Sequence, residues 1–236
     1  MGTNQTTARV AGLLYLIVVL TGMFNLLYLP SRFTVEGNVA ATLDNIAAAP
    51  DLYGYGIAAG VVCYTAFLLL PFVLHALLGH VDRRVAVVMV AFAVVSVPIS
   101  LVALGHKLDV LALLAGDRFA TIDGAQLRAQ AAFALESYRS GMQISQVFWG
   151  LWLLPFGWLV FRSGLLPKVF GILLMAGCFG YLVNIIAGSL WGGYAQSTLA
   201  SVVSIPSGLG EIGICLWLLV FGVRNRGRPA LATEPS

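Results

Sequence analysis

Six apolar segments, each close to the length that a helix needs to cross a bilayer, constrain this chain more than any other feature. They comprise residues 10–29, 53–78, 85–104, 142–161, 169–190 and 200–223. An α-helix rises about 1.5 Å per residue, so about 20 apolar residues cross a hydrocarbon core of about 30 Å. We therefore predict an all-α integral membrane protein in which residues 1–223 form one domain, a bundle of six transmembrane helices.

The composition agrees with a chain that lies almost entirely in the membrane. Only 10% of the 236 residues are charged and 59% are hydrophobic, whereas a soluble domain has about 25% charged residues. A net charge of +3, with no basic run interleaved with aromatic residues, argues against a nucleic-acid partner. We expect membrane lipids as partners and a disordered cytoplasmic tail over residues 224–236. The oligomeric state is left open.

The distribution of basic residues predicts the orientation of the bundle. The connections 79–84 and 162–168 are short and basic, as are the flanks of the first and last segments, while 30–52 and 105–141 are longer and mixed in charge. Positive charge near helix ends favours the cytoplasmic side. We therefore predict a multi-pass protein of a bacterial inner (plasma) membrane with both termini cytoplasmic. Helical spacing of Val39, Leu43 and Ile46, and an alanine-rich stretch over 124–139, predict short amphipathic helices in the two outer loops.

Glu211 is the one carboxylate that lies deep in an apolar segment. A charged side chain at the centre of a bilayer costs about 3 kcal/mol on insertion scales, which makes an intramembrane acid a candidate functional residue. No Lys or Arg lies deep in any apolar segment. We therefore expect Glu211 to be an uncharged acid that hydrogen-bonds Asn184, Gln146 or Ser207.

Polar residues on several segments recur at helical spacing and so share one face of each helix. Given the alternating direction of the segments, these groups gather between the membrane centre and its outer surface. We predict an outward-opening polar cavity with Glu211 at its base. The candidate ligand-binding residues are Glu211, Asn184, Gln146, Gln143, Asn25, Tyr181 and His106.

Three functions are compatible with these features. The first is binding of a small or lipid-like ligand in the Glu211 cavity, with transport as a further step. The second is an accessory or structural membrane protein without a ligand, in which Glu211 only links helices. The third is an interfacial enzyme that uses His106 and Asp109, which are i, i+3 neighbours.

The sequence gives no reason to expect a cofactor or a metal ion. Its three histidines lie at different depths, and Cys63, Cys178 and Cys215 lie inside apolar segments without the spacing of metal ligands. No residue is assigned as catalytic, because no nucleophile elbow, paired intramembrane aspartates or phosphate-binding glycine loop is present.

A structural turn is predicted between the fourth and fifth segments, at Arg162-Ser163-Gly164-Leu165-Leu166-Pro167-Lys168. Arg162 and Lys168 suit the headgroup region, Gly164 permits the chain to reverse, and Pro167 begins the next helix where its missing N–H costs little. We assign Arg162, Ser163, Gly164 and Pro167 this structural role.

The residues around this turn, FWGLWLLPFGWLVFRSGLLPKVFGILLMAGCFGYL over 148–182, resemble the bacterial membrane-protein family catalogued as domain of unknown function 4386. Weaker matches are Arg9-Val10-Ala11-Gly12, Asn45-Ile46 and Gly210-Glu211. The resemblance covers nearly the whole chain. It implies a bacterial multi-helix membrane protein of unassigned activity and implies no catalytic residue.

Overall fold

The structure is a computed structural model that describes residues 2–119, 121–194 and 197–224, and all regular secondary structure in those ranges is helical. The α-helices are α1 (Gly2–Met23), α2 (Leu29–Phe33), α3 (Val39–Ala48), α4 (Pro50–Leu78), α5 (Arg83–Ala115), α6 (Gly124–Leu151), α7 (Leu153–Ser163), α8 (Lys168–Leu190) and α9 (Thr198–Val220). A π-helical turn, Phe24–Tyr28, joins α1 to α2, and a 3₁₀ turn, Asp117–Phe119, follows α5.

Six helical stretches of the described residues are long and apolar enough to cross a membrane. They are Asn4–Phe33, Pro50–Leu78, Arg83–Ala115, Gly124–Ser163, Lys168–Leu190 and Thr198–Val220. The predicted all-α architecture with six membrane helices is confirmed. The predicted disordered tail lies outside the described residues, apart from Arg224.

The six spans form a closed ring in chain order. Each span packs against the next one along the chain, and α1 closes the ring against α9. At one end of the bundle the Gln5 side chain donates to the Phe221 carbonyl oxygen and accepts from Val223 N, both at 2.9 Å. We call this end, which also holds the short connections 79–82 and 164–167, the terminal face. We call the opposite end the loop face. Which face is cytoplasmic stays a prediction.

Glycines let neighbouring helices approach until their backbones touch. A Cβ built on Gly157 of α7 would lie 2.6 Å from the Gly171 carbonyl oxygen of α8, and one built on Gly177 would lie 2.8 Å from Ser207 Cα of α9. Small residues are typical of such contacts in membranes, where dispersion forces and weak hydrogen bonds replace the hydrophobic effect between helices. These contacts fix the position of α8 between α7 and α9.

Residues 164–167 form the turn between α7 and α8. Gly164 ends α7 in the left-handed region, with φ 64°. The Ser163 hydroxyl accepts a hydrogen bond from Leu165 N at 3.1 Å, and Pro167 immediately precedes α8. The Arg162 guanidinium lies 5.6 Å from the centre of the Trp158 ring. A basic residue stacked on an aromatic ring is suited to the headgroup region of a bilayer.

A layer of short elements covers part of the loop face. The Asn38 side chain caps α3 by accepting from Ala41 N at 3.0 Å, and Leu43 and Ile46 of α3 are buried against the bundle. The Asn45 amide donates to the Phe33 carbonyl oxygen at 3.1 Å. Because α3 contacts α2, α4, α5 and α6, it forms one wall of a cavity at this face.

Candidate functional site

Glu211 lies near the middle of α9 and faces α1. The Tyr15 hydroxyl donates a hydrogen bond to Glu211 Oε2 at 3.1 Å, and Tyr181 of α8 lines the same cavity as this carboxyl group. Tyr15 is only 1% exposed, and its ring packs against Trp152 and Phe156 at centroid distances of 6.1 and 6.5 Å. Aromatic packing therefore holds the Tyr15 hydroxyl in place beside the acid.

These groups line a cavity of about 310 Å³, which we call the Glu211 cavity. Apart from the acid, its polar lining groups are the tyrosines Tyr15, Tyr64 and Tyr181. The other lining residues are apolar side chains, glycines and one cysteine: Val18, Val19, Gly22, Met23, Leu26, Leu27, Cys63, Phe67, Trp149, Trp152, Gly208 and Ile212. No Lys or Arg of the described residues is in this lining.

The Glu211 cavity opens sideways between α1 and α9. Its edge is formed by Met23, Leu27 and Ile212, which are 47%, 63% and 45% exposed on the outer surface of the bundle. Towards the terminal face the gap is closed, because a Cβ on Gly12 would lie 2.5 Å from Leu219 N. In a bilayer this opening would face hydrocarbon, whereas the sequence predicted a polar cavity that opens to the outside.

The structure does not bring the seven predicted ligand-binding residues together. Only Glu211 and Tyr181 line the Glu211 cavity. Asn184, one turn from Tyr181 towards the loop face, donates to Ser204 Oγ at 2.8 Å and accepts from the Tyr194 hydroxyl at 2.7 Å. It therefore links α8 to α9 and to the connection between them. Ser207 donates to the Ser204 carbonyl oxygen at 2.8 Å, so it too is not the partner of Glu211.

Gln143, Gln146 and His106 lie away from the Glu211 cavity, because of how α5 and α6 are rotated about their axes and how deep each residue lies in the bundle. Gln143 is exposed and Gln146 is half-buried on α6, and neither lines the Glu211 cavity. His106 is at the loop-face end of α5, where its Nδ1 atom lies 3.2 Å from Asp109 Oδ2. That pair lines a separate cavity near Phe119 and Ser137. The prediction of one polar site joining these residues to Glu211 is therefore wrong in its geometry.

Asn25 belongs to a second buried polar cluster that the sequence analysis did not predict. It lies in the π-helical turn, is buried, and accepts a hydrogen bond from Lys107 Nζ at 2.7 Å. Lys107 lies in the connection 105–141, which the sequence analysis took as an outer loop of mixed charge, yet it is only 2% exposed. A signal was present in the sequence, because Ser96, Ser100, Ala103, Lys107 and Val110 recur at helical spacing and form the buried face of α5.

The described residues hold no group of three or more His, Cys, Asp or Glu side chains placed to bind a metal ion. The three cysteines are buried as free thiols. The chemistry available in the Glu211 cavity is therefore hydrogen bonding by one carboxyl group and tyrosine hydroxyls within an aromatic, apolar enclosure.

The fold defines a multi-pass helical membrane protein, and the Glu211 cavity lies between its apolar helices. Residues 10–222 match the family described as "Domain of unknown function (DUF4386)", and the chain belongs to that family. A protein of Archaeoglobus fulgidus described as "Uncharacterized protein" is 27% identical over 88 residues, which is 37% of this chain and 50% of that protein. The chain thus matches about half the length of that relative. No solved structure matches the chain.

Proposed function

We propose that this protein binds an amphipathic, lipid-like molecule in the Glu211 cavity and takes it up sideways from the bilayer. The observation that carries the proposal is the position of Glu211 and Tyr15 at the inner end of an apolar, aromatic-walled cavity whose edge lies between α1 and α9. An acid at membrane depth is costly unless it has a partner, which is why such residues are commonly functional.

The size of the cavity limits what it accommodates. Its volume of about 310 Å³ is at the small end of the range of about 300–1,000 Å³ for ligand sites. The cavity therefore suits the polar end and the first carbons of a single-chain molecule, while the rest of the chain extends past Met23 and Leu27 into the bilayer.

The polar groups indicate which head group binds. Glu211 provides acceptor oxygens, and no described cation lines the cavity to balance an anionic ligand. Phe67, Trp149 and Trp152 contribute aromatic rings to the walls, and such rings attract cationic as well as apolar groups. We infer a head group that donates hydrogen bonds, a primary amine or a hydroxyl, in preference to a carboxylate.

Transport would require a second conformation, because the bundle is closed on the terminal side of Glu211. There α1 and α9 touch at Gly12 and Leu219, and Cys215 Sγ lies 3.7 Å from the Gly12 carbonyl oxygen. Separation of these two helices would extend the cavity towards the terminal face. Binding is therefore the function that we propose first, with transport as a step that depends on it.

The test uses the purified full-length chain and three probes of equal chain length: dodecylamine, dodecanol and dodecanoate. Binding is followed by native mass spectrometry and by intrinsic tryptophan fluorescence, to which Trp149 and Trp152 of the cavity wall contribute. We expect the amine and the alcohol to bind more tightly than the acid. We also expect Glu211→Gln to weaken amine binding by at least about tenfold, since a hydrogen bond to a charged group contributes about 1.5–3 kcal/mol.

The matched control is Glu136→Gln, which makes the same change at an exposed glutamate on α6. This variant should bind all three probes as the wild type does. Equal amine affinity in the Glu211→Gln and Glu136→Gln variants would contradict the proposal. It would favour the alternative in which Glu211 only links α9 to α1 in an accessory protein without a ligand.

A further inference from the structure

Lys107 provides a second candidate site, independent of the Glu211 cavity. Among the residues that the structure describes, it is the only one with a charged side chain that is buried. It lies on α5 near the loop face, on the buried stripe of that helix. Lysine is almost never fully buried unless its charge is paired, so the groups around it decide what it does.

The groups that contact Lys107 are neutral. Its Nζ atom donates to Asn25 Oδ1 at 2.7 Å and lies 4.5 Å from the centre of the Tyr138 ring and 5.3 Å from that of Tyr53. No carboxylate of the described residues lies within ion-pair distance of it. An ammonium group has three N–H donors, and here one is used by Asn25. The positive charge is therefore held in place but not neutralised.

Lys107 lines a cavity of about 480 Å³ at the loop face, which we call the Lys107 cavity. Tyr53 and Arg139 are also in its lining. The Tyr53 hydroxyl is buried and has no hydrogen-bond partner among the described residues. Arg139 is partly exposed and makes only a surface ion pair with Glu136 at 3.5 Å, an interaction that is weak in water. Three side chains whose donors are unused or only weakly used thus line one cavity.

Among the described residues, Glu36 is the only acid that lines this cavity. It is exposed, and among the described residues it takes part in no ion pair. Water screens an exposed carboxylate well, whereas a buried cation is screened much less. The inner end of the Lys107 cavity is therefore positive even though its rim carries one acid.

We propose that Lys107, Tyr53 and Arg139 bind a phosphate group that enters from the loop face. The oxygen atoms of a phosphate group accept several hydrogen bonds at once, so one group can satisfy the ammonium, the phenol and the guanidinium together. The same chemistry is offered by inorganic phosphate and by the headgroup of an anionic phospholipid. The proposal does not depend on what the Glu211 cavity binds.

Isothermal titration calorimetry on the purified full-length protein tests the proposal. The probes are sodium phosphate and a short-chain phosphatidylglycerol, each titrated at constant ionic strength. We expect saturable binding of at least one probe by the wild type, and no detectable binding by Lys107→Met. Binding of both probes would show that free phosphate suffices. Binding of the phosphatidylglycerol alone would identify a lipid headgroup as the source.

Two further variants keep the test decisive if Lys107→Met fails to fold. Tyr53→Phe retains the ring beside Lys107 and removes a hydroxyl without a partner, and Arg139→Gln alters a partly exposed side chain. Each should weaken binding about tenfold. Arg32→Gln, at an exposed arginine of α2 that does not line the cavity, is the matched control and should bind as the wild type does. The absence of binding by the wild type, or equal binding by Tyr53→Phe, Arg139→Gln and Arg32→Gln, would overturn the proposal.

Discussion

Gly157→Ala tests the helix packing that positions α8, and with it Tyr181. A methyl group on Gly157 would lie 2.6 Å from the Gly171 carbonyl oxygen, 2.8 Å from Met175 Cγ and 2.9 Å from Met175 N. Two of these three atoms belong to the backbone of α8 and cannot rotate away. Either α7 and α8 must move apart, or the contact must be strained.

The expected change in the free energy of unfolding combines two opposing contributions. Overpacking a tight contact costs about 1–3 kcal/mol, and backbone atoms on the opposite side place this site in the upper part of that range. Alanine is favoured over glycine in a helix by about 1 kcal/mol. We therefore expect Gly157→Ala to destabilise the protein by about 1–2 kcal/mol.

Gly105→Ala is the matched control, because a methyl group on Gly105 of α5 would meet no atom within 4 Å. Only the gain in helix propensity then applies, so Gly105→Ala should stabilise the protein by up to about 1 kcal/mol. Both variants are unfolded with SDS in mixed micelles and followed by tryptophan fluorescence. The free energies of unfolding of the two variants should differ by about 2–3 kcal/mol. Equal stability would refute the backbone contact between α7 and α8.

Three further predictions concern other parts of the bundle. Asn25→Leu should destabilise the protein by about 2 kcal/mol in the same SDS titration, because Lys107 loses its buried hydrogen-bond acceptor. A change in stability below about 0.5 kcal/mol would contradict this contact. A double-mutant cycle of Ser100→Ala and Ser145→Ala should give a coupling energy of about 0.6 kcal/mol for their 3.0 Å hydrogen bond, and no coupling would contradict it. His106→Ala should change the stability by less than about 0.5 kcal/mol and leave dodecylamine binding unchanged, since His106 lies at the loop face. Loss of binding would place the ligand site at the loop face.

The six spans were predictable because apolar length alone decides whether a helix can cross a bilayer. Their limits were less predictable. The predicted segments 85–104 and 142–161 are shorter than the helices, since α5 continues to Ala115 and α6 begins at Gly124. A helix continues through polar residues once its backbone hydrogen bonds are formed, so hydropathy does not mark its end.

The position of Glu211 could be predicted from depth, but its partners could not. Tyr15 lies in an apolar segment, where an aromatic residue is usually part of the core, so its hydroxyl carried no separate signal. Gln143 was misplaced because the rotation of a helix about its own axis depends on packing against its neighbours. Lys107 was misplaced because its position in the chain suggested a surface loop, while the extended helix α5 buries it beneath α3.

The most direct test of the proposed function is to fill the Glu211 cavity without disturbing the helices around it. Gly208 of α9 lines this cavity, and a methyl group built on it would meet no atom within 4 Å. Gly208→Leu should therefore occupy the cavity at little cost in stability. Gly105→Leu makes the same change in open space on α5.

The measurement is the affinity of both variants for dodecylamine, by native mass spectrometry of the purified full-length chain. The proposed function predicts that Gly208→Leu binds at least about tenfold more weakly than the wild type, equivalent to about 1.4 kcal/mol. Gly105→Leu should bind as the wild type does. Equal affinity in both variants would contradict the assignment of the Glu211 cavity as a ligand site.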